Sequence, residues 1–152
     1  MKTPIILAAF AGGFLTLIFG VIRSFWVAYV FPPPNPKFGT FTAFSFGAIA
    51  STYAGICVAI SLLATIPFYV RRVGLRSLRH LLIYSLAFVF LMTFPASPAV
   101  QGLVLVFSKL CRSLGGGDLA ALTLAPLVSC LLFAFAYSVV VSYATRYFSR
   151  TN

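Results

Sequence analysis

Apolar residues follow one another along this chain in four long runs, at residues 4–30, 43–70, 81–107 and 119–143, with polar and basic residues gathered between them. Each run exceeds the roughly 20 residues that a helix needs to cross about 30 Å of hydrocarbon. The pattern predicts an all-α, polytopic integral membrane protein, one domain over residues 1–152 with four transmembrane helices. Between the first two runs, residues 31–37 read FPPPNPK. Proline fixes φ and has no N–H, so this stretch is expected as a stiff, extended connector. Residues 71–80, RRVGLRSLRH, form a basic turn between two antiparallel helices. The third run contains Pro95 and Pro98. Fourteen residues precede Pro95, about 21 Å of helix at 1.5 Å per residue. That is too short to span, so the third helix is expected to continue, proline-kinked, to about residue 107. The first run is longer than a signal-peptide core and carries Trp26 and Tyr29, which suit an interfacial aromatic belt. It is expected to be retained as a helix.

Composition sharpens this picture. Apolar residues make up 61% of the chain and charged residues only 8%, against about 25% charged in soluble domains. So few charges cannot cover a water-exposed surface, which argues against a soluble enzyme. Eleven Lys or Arg face a single acid, Asp118. The basic residues lie between and beside the apolar runs, where membrane topology and anionic headgroups explain them and nucleic acid does not. Four spans place Lys2, Arg71, Arg72, Arg76, Arg79, Arg146 and Arg150 on the side of the termini, opposite Lys37, Lys109, Arg112 and Arg23. That excess predicts termini in the cytoplasm or in the mitochondrial matrix. Cys57, Cys111 and Cys130 are widely spaced and form no CxxC, so buried free thiols are expected.

Candidate chemistry is sparse. One acid excludes paired carboxylates, and one histidine, His80, excludes a bis-histidine site. No P-loop or GxGxxG occurs. No catalytic, cofactor or metal residue is assigned, and His80 is read as a headgroup-level polar side chain. Arg23 is the one charge inside a span; it lies seven residues from the end of its run, within snorkelling reach of the interface. A salt bridge to another subunit, or to Asp118, is the alternative. With Arg71, Arg72, Arg76, Arg79, Arg146 and Arg150 it forms the expected set of headgroup or subunit contacts. The clearest pattern is one of packing. Ala8, Gly12, Thr16, Gly20 and Ser24 recur every fourth residue in the first span, and Ala43, Gly47, Ser51, Gly55 and Ala59 in the second. Such stripes let helix backbones approach closely, so the two are expected to pack on each other or on a partner.

These segments, AGGFLTLIFGVIR at 11–23 and FGTFTAFSFGAIASTYAGIC at 38–57 with the Arg-bearing loop after them, resemble the mitochondrial inner-membrane translocase (Tim) channel family. The nearer likeness is to its branch of four-helix accessory subunits of respiratory complex I. The resemblance covers roughly residues 8–80 and implies a scaffold subunit of the mitochondrial inner membrane. The acids of the translocases' polar cavity are missing here, which speaks against protein translocation. The family's termini also face the intermembrane space, opposite to the side this charge bias predicts. The expectation from sequence is therefore a non-catalytic accessory subunit of a larger membrane complex, binding cardiolipin or another anionic lipid and other membrane subunits. A small bacterial inner-membrane flippase for lipid-linked sugars and a holin-like pore former remain as alternatives.

Overall fold

A computed structural model describes residues 2–31, 39–74, 77–93 and 97–151, with side chains over 3–147 of these. The connector at 32–38 and the proline at 95 lie outside the described residues. Five helices follow in order: α1 Lys2–Val30, α2 Thr40–Val73, α3 Leu78–Thr93, α4 Ser97–Ser113 and α5 Asp118–Thr151. Helices α1, α2 and α5 are each long and apolar enough to cross a membrane. Their outward faces carry large apolar side chains, among them Phe10, Phe14, Trp26, Ile49 and Val140. Such surface is stable against lipid and costly against water.

The expected third span differs. It is two helices, α3 and α4, whose axes are bent by 74°. At 16 and 17 residues, each is only about 25 Å long, short of the roughly 30 Å core. The FPASP segment supplies the reason. A proline has no N–H for the preceding turn, while Pro98 sits in the first turn of α4, where that donor is not needed. The chain therefore ends one helix and starts another. The pair adds at most one further crossing to the other three.

The core lies where α2, α3 and α5 meet. The rings of Tyr69 and Tyr84 stack at 4.4 Å, Tyr84 and Tyr137 lie 4.9 Å apart, and Phe88 and Tyr137 5.3 Å apart. The Tyr137 hydroxyl donates to the Tyr84 carbonyl at 3.0 Å. Leu62, Ile66, Leu81, Phe88 and Val89 fill the space around them. Four of the buried serines and threonines bond within their own helix: Ser61, Thr65, Ser129 and Ser142 each donate to the carbonyl four residues back, at 2.6–2.8 Å, whereas the hydroxyls of Ser85 and Ser138 are buried without such a bond. The bond to the helix's own carbonyl accommodates a hydroxyl without water.

Helices α1 and α2 run antiparallel in the closest contact of the bundle. A Cβ on Gly13 would lie 2.7 Å from the Gly55 carbonyl oxygen and 2.8 Å from Ala59 Cβ. A Cβ on Gly20 would collide with Ser51, and one on Gly47 with Ser24. The two stripes thus meet at Gly20–Ser51 and Ser24–Gly47. Gly12, however, points toward Leu62 of α2 and toward Ser85 and Val89 of α3. Four-residue steps on a helix of 3.6 residues per turn drift by about 40° each, so a stripe of five cannot keep facing one neighbour. Gly13, outside the fourfold stripe, takes over that contact.

Candidate functional site: a cleft between α1, α2 and α4

Between the α1–α2 pair on one side and α4 with the start of α5 on the other lies an open cleft of about 620 Å³, within the about 300–1,000 Å³ of ligand pockets. It exists because α3 stops short and α4 turns away, leaving the last third of α1 uncovered. Along α1 it extends from Thr16 to Ala28, about 18 Å of helix, or more than half the hydrocarbon thickness. Met92, Cys57 and Cys130 line it too, beside the apolar surfaces of Val58, Val100 and Val104.

The hydrogen-bonding capacity of this lining can be worked out residue by residue. Thr16 donates to the Gly12 carbonyl at 3.0 Å, Ser24 to Gly20 at 2.7 Å, Ser51 to Gly47 at 2.6 Å and Thr93 to Val89 at 2.7 Å. These four hydroxyl protons are committed to their own helices. Donors for a ligand are then supplied by Arg23 from α1 and by Ser97 and Gln101 from α4; one Gln101 amide N–H reaches Ser97 Oγ, which accepts, at 3.4 Å. On α4, Ser97, Gln101, Ser108 and Arg112 recur at spacings that keep them on one face, and Ser97 and Gln101 line the cleft. None of the α4 residues is buried, so this helix forms a wall without being part of the core.

Arg23 is the one charged side chain among the described lining residues, and it is exposed there. The single acid of the chain does not neutralise it: Asp118 Oδ1 accepts from Arg112 Nε at 2.9 Å, at the exposed turn between α4 and α5. A counter-charge for Arg23 must come from outside the chain. Close to the cleft, the Tyr53 hydroxyl donates to the Thr123 carbonyl. It ties α2 to α5 one turn before Pro126.

The remaining residues singled out in the sequence fall in two places. Ala8 is buried in the core and Ala43 lines the cleft. Gly55 and Ala59 face Gly13. At the opposite end of the molecule, Arg71, Arg79, His80 and Arg146 are exposed and Arg72 is half-buried. Arg76 lies outside the described residues, as does the side chain of Arg150. Sequence reasoning picked out Arg23 and missed Gln101, Cys57 and Cys130 as lining of the same cleft. The polar face of α4 was the available signal for Gln101. Among the described residues no group of histidines, cysteines and acids could hold a metal ion.

No family model matches this chain, and neither a curated protein nor a solved structure does.

Proposed function

We propose that this chain is a non-catalytic, membrane-embedded subunit that seats an anionic lipid in the cleft between α1, α2 and α4, as part of a larger membrane assembly. The observation that carries the reading is the state of Arg23: the one charged side chain among the described lining residues of an open cleft, with the only acid of the chain engaged by Arg112. Charge inside a membrane is kept where it has a partner. An anionic headgroup at Arg23 and Gln101, with acyl chains along Val58, Val100 and Val104, would satisfy both halves of the lining. The mitochondrial inner membrane and a respiratory complex are the specific setting that the resemblance implies, and the cleft does not depend on it.

Lipid extracted with the protein in mild detergent tests the first half. The expected outcome is co-purified anionic phospholipid that falls at least fivefold in Arg23→Gln, on the basis of about 1 kcal/mol for one basic residue at a lipid surface. Unchanged lipid content would sink the reading. Native-gel profiling of source membranes tests the second half, with a sharp high-mass band expected. The depth of the cleft favours one competing reading, a small lipid flippase. Migration as a small oligomer, together with lipid scrambling by the pure chain in liposomes, would move the assignment there.

A further inference from the structure

Helix α4 differs in kind from the other four. It is the least apolar and the most amphipathic of them, and none of its residues is buried. Its side chains sort into three faces. Val100, Leu103, Val104 and Phe107 are half-buried against the bundle, where α4 packs mainly on α5. Gln101, Lys109, Arg112 and Ser113 are exposed along a second face, on which Leu105 is the one large apolar side chain. Ala99, Val106 and Leu110, at steps of seven and four, are exposed along a third. A helix inside hydrocarbon cannot turn the second face outward. Only at the boundary of hydrocarbon and water does each exposed face meet the medium it suits. The geometry of the bend agrees. At 16 residues, α3 is about 24 Å long, so by Thr93 it has covered most of the roughly 30 Å hydrocarbon. The 74° turn then carries the chain sideways. The 17 residues of α4 advance only about 7 Å along the axis of α3, which is what the crossing still lacks. They end at the Arg112–Asp118 ion pair, whose side chains are 58% and 79% exposed, at the level of water.

We infer that α4 is an interfacial helix, docked nearly flat on the lipid surface of the leaflet that the C-terminal end of α3 reaches, with Lys109 among the headgroups and Val106 and Leu110 in the upper acyl chains. A lipid surface is the partner because one exposed face is polar and cationic and the next is apolar, the order in which an anionic leaflet presents headgroups and then hydrocarbon. Ser97 and Gln101 of this helix line the cleft, so the mouth of the cleft lies at headgroup level on that side. The inference rests on the bend and on the faces of α4, not on Arg23, and loss of lipid from the cleft would leave it standing.

Tryptophan depth in vesicles of phosphatidylcholine and phosphatidylglycerol, measured on the full chain, tests this. Trp26 is the only tryptophan, so Trp26→Phe provides a silent background. On it, Ala99→Trp, Val106→Trp and Leu110→Trp, made one at a time at positions that are not buried, are read by quenching from lipids brominated at graded depths. From Ala99 to Leu110 a helix advances about 17 Å, so with the observed bend the three depths should agree within about 5 Å and all lie near the headgroups. Lys109→Trp, on the polar face, should be quenched by acrylamide present on both sides of the membrane severalfold more than Val106→Trp. Adding Arg23→Gln should leave every depth unchanged. A spread of about 15 Å between Ala99→Trp and Leu110→Trp would overturn the proposal and make α4 the second half of a span. Shielding of Lys109→Trp from acrylamide as complete as that of Val106→Trp would overturn the lipid surface as the partner and point to a second copy of the chain covering that face.

Discussion

At the scale of single residues, the α1–α2 contact is set by what is missing from Gly13 and Gly55. Each would direct a Cβ to 2.7 Å from the other's carbonyl oxygen, and backbone cannot yield as a flexible side chain can. Gly13→Ala is expected to destabilise the bundle by about 1–3 kcal/mol, the usual range for overpacking, measured by reversible unfolding in mixed micelles. Gly102 on α4 meets nothing within 4 Å. Gly102→Ala should leave stability unchanged or raise it by up to about 1 kcal/mol, because a glycine inside a helix is the less favoured residue. An equal gain in the two variants would show that helix propensity, not close approach, sets the first effect. The small-residue stripes were legible because they recur at a fixed spacing. Their exact partners were not, since a fourfold repeat drifts around the helix and hands the contact from Gly12 to Gly13. Arg23 stood out as a charge in an apolar run, whereas Gln101 gains meaning only from the direction in which α4 leaves α3.

Elements divide the molecule into a packed part and a loosely held part. Helices α2, α3 and α5 share the aromatic core, and α1 is locked to α2. By contrast, α4 contributes no buried residue and packs mainly on α5. The four apolar runs were readable from length alone. The break in the third was not resolved by counting residues, because a kinked helix and two separate helices satisfy the same sequence; what differs is whether neighbouring helices support a continuous rod, and here α1 packs on α3 but leaves α4 uncovered. A specific tie links α2 to α5 near the cleft, the Tyr53 hydroxyl on the Thr123 carbonyl. Tyr53→Phe should cost about 1 kcal/mol, the net worth of one such bond, or somewhat more if the carbonyl is left unpaired in lipid. Unfolding of the variant measures it, and faster hydrogen exchange should appear in the first turns of α5.

For the whole molecule, the order of the helices predicts which thiols can be reached and from where. Cys57 and Cys130 are buried between α2 and α5, while Cys111 is half-buried at the α4–α5 turn. If α3 and α4 together make one crossing, Cys111 lies on the side opposite the C-terminus. A membrane-impermeant maleimide applied from that side should modify one cysteine per native chain, Cys111, and two more after unfolding in detergent. Labelling of Cys111 from the side of the N-terminus instead would mean that the α3–α4 pair re-enters rather than crosses. Helices α2 and α5, at 34 residues each, are about 51 Å long, well beyond the roughly 30 Å they have to cross. They must tilt or protrude, and the amount depends on the thickness of the bilayer around them. Because α4 is carried by α5 while α1 is fixed to α2, any change of tilt between the two long helices opens or narrows the space between α1 and α4. Thin and thick membranes are thus expected to select different widths of the same cleft.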